Sequence, residues 1–133
     1  MKQHYPNTTD LRKLAQKAGE ITRNNFKIGM EREWKSDDTP LTATDTAIND
    51  LVVETISREF PQIRVIGEEG CNDIKEAEYT VYCDPVDGTI PFCRGIPISA
   101  FSIAVVREDT PICAVIYDPF QNRMWHASKG EGC

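Results

Sequence analysis

The sequence has no apolar stretch approaching membrane-spanning length. Its N-terminus, Met1-Lys2-Gln3-His4-Tyr5-Pro6, opens no apolar run, so neither a membrane span nor a signal peptide is expected. Positive charge is not in excess: 15 Lys and Arg face 21 Asp and Glu, a formal net charge of −6. That balance argues against a nucleic-acid or membrane-surface binder. Paired cysteine motifs are also missing. Cys71, Cys83, Cys93, Cys113 and Cys133 form no CxxC and are odd in number. Cys83 and Cys113 sit in apolar runs and read as reduced core thiols of a cytoplasmic protein. The two histidines, His4 and His126, have no partner at metal-ligand spacing. Repeats and low-complexity segments are absent. What is present is 133 residues, 40% hydrophobic and 27% charged, enough for one soluble domain with a sizeable core.

Asn7, Thr8, Thr9 and Asp10 offer N-caps for a first helix. Leu11, Leu14, Ala15, Ala18 and Ile21 recur at helical spacing and predict that it runs to about Phe26. Lys27 to Pro40 reads as a polar connector with Trp34 as an aromatic anchor, and Trp125 likewise reads as a packing residue. A second helix is expected after Asp45, with Ile48, Leu51, Val52, Ile56 and Phe60 as its buried stripe and Pro61 as its stop. The period then changes. Ile63–Ile66, Tyr79–Asp84, Ile112–Tyr117 and Arg123–Ala127 read as strands. Phe101, Ile103 and Val105 alternate with Ser102, Ala104 and Val106, which predicts a strand buried on both faces. The fold class is α+β, two helices packed on a mostly antiparallel sheet.

Three acidic clusters carry the chemistry. In Asp84-Pro85-Val86-Asp87-Gly88-Thr89, two carboxylates three residues apart can point at one spot. Their repulsion is tolerated when a cation sits between them, and hard oxygen donors suit Mg²⁺ or Mn²⁺. Asp84 is expected to end its strand, the Val86 carbonyl is a further donor, and Gly88 permits a tight turn. Backbone N–H groups at a short helix from Thr89 would hold phosphate oxygens. By themselves, Asp-Pro and Asp-Gly read equally well as turns. Glu68, in Gly67-Glu68-Glu69-Gly70, follows another strand and can complete a metal shell. Its neighbour Glu69 is expected to point away, to solvent or to a supporting role. Lys35 is either a solvated connector residue or one that orients Glu68 or a phosphate. Asp45 is either a first-turn acid or the group that orients a water or hydroxyl. Thr42 and Thr44 read as helix-entry hydroxyls, and Cys71 has no base to mark it as a nucleophile.

Taken together, Lys35-Ser36, Pro40-Leu41-Thr42-Ala43-Thr44-Asp45, Gly67-Glu68-Glu69 and Asp84 to Thr89 resemble the inositol monophosphatase family of Mg²⁺-dependent, lithium-sensitive phosphatases. Phe92, Gly95, Pro97 and Met124 to Gly130 extend the resemblance over essentially the whole chain. It implies the N-terminal part of a layered αβαβα sugar-phosphatase fold, with 1–133 as a catalytic metal-binding domain and the family's C-terminal domain absent. It implies hydrolysis of a small phosphate monoester, inositol monophosphate first. The alternatives are a 3′(2′),5′-bisphosphate nucleotidase, a histidinol-phosphate phosphatase or a fructose-1,6-bisphosphatase. An alternative of another class is a non-catalytic metal-binding or dimerising module. The implied roles are Glu68, Asp84 and the Val86 carbonyl for one Mg²⁺ and Asp84 with Asp87 for a second. A third ion near Glu68 is weaker. Asp45 and Thr89 would position and deprotonate a water, and Gly88 and Thr89 would contact the substrate. Lys35 and Glu69 would support this set. The family also implies a homodimer. One departure is Ile90-Pro91, where the family has a small polar residue and then Asn.

Overall fold

The computed structural model describes residues 4–27, 32–36 and 40–133. Residues 1–3 and parts of the Lys27 to Pro40 connector lie outside them. Helix α1 spans Thr8–Asn25. Of the N-cap candidates Asn7 takes the position. Its Oδ1 accepts from the Asp10 N–H, and Asp10 Oδ2 accepts from the Asn7 N–H, each at 3.0 Å. This reciprocal pair satisfies two helix-end donors. Leu11, Leu14, Ala15 and Ala18 form the buried face.

Two short strands, β1 (Glu33–Trp34) and β2 (Pro40–Leu41), pair antiparallel where only a connector was expected. Trp34 does not anchor that segment: it is 59% exposed, with the Arg32 guanidinium 5.2 Å from its ring centroid. Contact with a cation takes the place of burial. Helix α2 spans Ala43–Glu59 with Thr42 as N-cap, so it begins two residues before Asp45 rather than after it. Ile48, Val52 and Ile56 are fully buried, and Leu51 and Phe60 partly so.

The main sheet contains β3 (Arg64–Gly67), β4 (Gly70–Cys71), β5 (Tyr79–Asp87), β6 (Ala100–Arg107), β7 (Thr110–Asp118) and β8 (Arg123–Ser128). Their order is β4-β3-β5-β6-β7-β8. The pair β3–β5 is parallel and the other neighbours are antiparallel. Helix α1 packs over β6 and β7, and α2 over β3 and β5. The α+β layering read from the sequence is therefore the one found.

The core lies between these helices and one face of the sheet. The opposite face is open: Tyr82 and Trp125 are 45% exposed and Ile116 49%. Strand β6 is accordingly not buried on both faces. Phe101, Ile103 and Val105 are buried, whereas Ser102, Ala104 and Val106 are half-buried. The same alternation holds in β5, where Val81 and Cys83 are buried and Tyr82 is not. A β-branched and aromatic run suits a pleated surface and does not say how many faces are covered. Trp125 rests against the Arg123 guanidinium, 5.2 Å from its ring centroid, and is not a core residue.

Nor does Asp84 end its strand. Pairing with β6 runs from Tyr79 to Asp84, slips, and resumes at Asp87 opposite Ala100. Pro85, which has no N–H for the ladder, falls within this bulge. Gly88 follows at φ 96° and leads into the short helix α3, Thr89–Cys93.

Candidate active site

Because β3 and β5 are parallel, their carboxyl ends lie at the same end of the sheet. Gly67 pairs with Cys83, and the Glu68 N–H donates to the Cys83 carbonyl at 3.0 Å. The backbone register thus sets Glu68 beside Asp84. Both border an open cleft of about 480 Å³ on the uncovered sheet face, together with Tyr82, Ser102 and Ile116.

Asp84 Oδ1 is buried and has no hydrogen-bond partner among the described residues. Burial pushes the Asp84 pKa up to about 8, helped by a hydrogen bond and charge from Glu68 and by the charges of Asp87 and Asp45. A carboxyl in this position holds a proton at neutral pH unless a cation replaces it. Burial, with the charges of Asp84 and Glu68, also pushes the Cys83 thiol well above its usual range. It stays a core thiol, as expected. Asp87 is exposed. The donor set, carboxylates plus the Val86 carbonyl, has the chemistry of a hard-cation site. It is not a closed cage, since no three His, Cys, Asp or Glu side chains gather tightly enough for a metal among the described residues.

Asp45 is 1% exposed and uses both oxygens. Oδ2 accepts from the Thr42 N–H at 3.0 Å and from the Thr42 hydroxyl. Oδ1 accepts from Thr89 Oγ1 at 3.0 Å. The two readings of Asp45, helix-entry acid and site residue, are therefore compatible in one side chain. Thr89 Oγ1 also lies 2.9 Å from the Val86 carbonyl. It has one proton, so it donates to Asp45 or to Val86 and not to both at once. Thr42 and Thr44 are buried at the helix entry.

Lys35 Nζ bonds Glu69 Oε1 at 2.5 Å and Glu68 Oε1 at 3.3 Å. Burial opposes its charge, but the bond and charge of Glu69 and the charge of Glu68 outweigh it and raise its pKa. Glu69 does not point away to solvent. Its side chain is 7% exposed against 47% for Glu68, because the Lys35 ammonium draws it inward. Asn49, unremarked in the sequence, binds the backbone of this turn: its Oδ1 accepts from the Glu69 N–H and its Nδ2 donates to the Gly70 carbonyl. Its only sequence signal is its place one helical turn after Asp45 on a mostly apolar face. At α3, Pro91 removes one of the free N–H groups of the first turn, so Thr89 and Ile90 hold the usable donors.

Residues 6–133 match the sequence profile of the inositol monophosphatase family. The chain is 36% identical to histidinol-phosphatase from Mycobacterium tuberculosis over 90% of its own length and 46% of that protein's. It is 32% identical to Nus factor SuhB from Escherichia coli strain K12, covering 90% of this chain and 46% of the relative. An IMPase from Thermotoga maritima superposes with a TM-score of 0.84 at 27% identity, over 93% of this chain and 49% of that one. The chain spans about half the length of the relatives it matches.

Proposed function

The chain belongs to the inositol monophosphatase family, and from that premise we propose that it forms the metal-binding half of a Mg²⁺-dependent phosphatase for a small phosphate monoester, inositol monophosphate first. The observation that carries this reading is the buried, donorless Oδ1 of Asp84. A carboxylate oxygen surrounded by other carboxylates and given no hydrogen-bond donor is suited to a cation.

Glu68, Asp84 and the Val86 carbonyl would hold one Mg²⁺ and Asp84 with Asp87 a second, with Mn²⁺ as a substitute. Bound there, two divalent ions would neutralise phosphoryl charge and make a water more acidic. The chain's own part is proton handling and orientation. With its hydroxyl proton directed at Asp45 Oδ1, Thr89 Oγ1 keeps its lone pairs free to accept a proton from the attacking water as its own proton passes to the Asp45 carboxylate. Asp45 is itself held by the Thr42 N–H and hydroxyl, which keeps its second oxygen aimed at Thr89. Gly88 makes the turn at φ 96° with the Ile98 carbonyl packed where a side chain would stand, and the Thr89 N–H that follows is a donor for a phosphate. Lys35 restrains Glu68 and Glu69 as a pair.

Histidinol phosphate is the second substrate to consider, on the 36% identity to a protein named histidinol-phosphatase. The deciding experiment is phosphate release from inositol monophosphate and from histidinol phosphate, with and without Mg²⁺. It is run on this chain and on a version extended to the length of its relatives. Mg²⁺-dependent release that Asp84→Asn abolishes is the expected result. No release by either version from any small phosphate ester sinks the reading and leaves a binding module.

A further inference from the structure

Asn49 is 2% exposed, and a buried amide must find partners for both its oxygen and its nitrogen. It finds them in one place. Oδ1 accepts from the Glu69 N–H at 3.3 Å and Nδ2 donates to the Gly70 carbonyl at 3.2 Å. The first lies in the turn between β3 and β4 that carries Glu68, and the second opens β4 directly after it. Gly67, at the start of that turn, lies against the same amide: a Cβ there would fall 2.0 Å from Asn49 Oδ1. Helix α2 and the turn therefore meet through a glycine and an asparagine, with no room for a larger residue at position 67.

The Glu68 side chain is half exposed; its carboxylate meets Lys35 Nζ at 3.3 Å and shares a hydrogen bond with Asp84. Packing does not fix such a side chain, so its aim depends on its backbone. That backbone is tied on the sheet side by the bond from the Glu68 N–H to the Cys83 carbonyl. On the helix side it is tied by Asn49, through the two residues that follow. We propose that Asn49 is a positioning residue that sets Glu68 relative to Asp84, and that divalent-cation affinity depends on it. Because Asp45 and Asn49 are one turn apart on α2, one rigid helix would then reference both the Thr89 partner and the Glu68 turn. The inference rests on the cation reading of Glu68 and Asp84 given above.

The test is Mn²⁺ titration of the 133-residue chain followed by electron paramagnetic resonance, alongside amide exchange at residues 67–71. Asn49→Ala is expected to weaken Mn²⁺ binding about tenfold, as loss of outer support does in metal sites. It should also speed exchange of the Glu69 amide. Losing two buried hydrogen bonds also lowers the melting point, so affinity is compared at a temperature where both proteins are fully folded. Unchanged Mn²⁺ affinity in a folded Asn49→Ala overturns the inference. If that variant does not fold, Asn49→Ser, too short to span both backbone groups, decides by the same two readouts. Asp84→Asn reports on the premise separately. If it leaves Mn²⁺ binding intact, or if wild type binds none, the cation reading falls and the inference with it. If Asp84→Asn abolishes binding and Asn49 substitutions change nothing, only the positioning role is lost.

Discussion

Asp45 divides its carboxylate between two tasks, and the division can be separated by mutation. Thr42→Ala removes the capping hydroxyl, which accepts from the Asp45 N–H and donates to Oδ2, and should cost about 0.5–2 kcal/mol in denaturant unfolding. Thr89→Val leaves that cap in place but strips the donor from buried Oδ1, so it should cost about 1–3 kcal/mol and also remove phosphate release from the extended enzyme, which Thr42→Ala should retain. Asp84 gives a pH signature. Its folded pKa of about 8 lies above the ordinary value of 3.8. As pH rises the unfolded chain loses this proton first, so the group's stabilising contribution is full below the ordinary value and is lost as pH rises through the folded one. Without divalent metal, Asp84→Asn should therefore melt higher than wild type above pH 8 and no higher in acid. Added Mg²⁺ should raise the wild-type melting temperature more above pH 8 than at mildly acidic pH, where it must displace a proton. Thermal melts with and without a chelator check both. At this scale the sequence revealed identities better than directions. Asp45, Glu68, Asp84 and Thr89 stood out through the motifs that resemble the family's. The inward turn of Glu69 depended on Lys35, distant in sequence, and Asn49 carried no chemistry of its own to mark it.

The elements were legible in proportion to their length. Helices α1 and α2 announce themselves by apolar spacing and by caps, and β3, β6 and β7 by β-branched runs; β8, Arg-Met-Trp-His-Ala-Ser, has no β-branched residue and is marked by the Asp118-Pro119 turn before it. Strands β1, β2 and β4 have two residues each, too few to show a period. The end of β5 was misread because Asp-Pro signals a turn, while tertiary pairing carried the strand onward as a bulge. One helix position tests packing directly. A Cβ at Gly19 would fall 2.4 Å from Tyr117 Cε1. That ring cannot step aside easily, since its hydroxyl is bonded by Arg23 and donates to Asn122. Gly19→Ala should gain about 1 kcal/mol in helix propensity and lose about 1–3 kcal/mol to overpacking. The expected net result is a lower melting temperature.

At the scale of the whole molecule, the largest gap between sequence and structure is the open sheet face. Apolar alternation told which residues face the helices but not whether anything covers the other side. Tyr82, Ile116 and Trp125 stand exposed there, and exposed apolar patches of this kind bind apolar partners. The 133-residue chain should bind the hydrophobic dye ANS, and Ile116→Ser combined with Tyr82→Ser should lower the fluorescence without altering far-ultraviolet circular dichroism. The expected homodimer is read by sedimentation velocity across concentration; a single monomeric species throughout would count against it for this chain.

The parallel pairing of β3 with β5 has a consequence for length variation. Glu68 and Asp84 meet because two backbones are in register; Asn72 is bonded to the Val65 backbone of β3, and the 73–78 segment from there to β5 takes no part in that register. Insertions in that connection can accumulate without moving either carboxylate. A single residue added to or removed from β3 or β5 would shift one carboxylate by about 3.3 Å and turn it to the opposite face of the sheet. The 73–78 connection is therefore a place where the chain can grow, and β3 and β5 are two where it cannot change by even one residue.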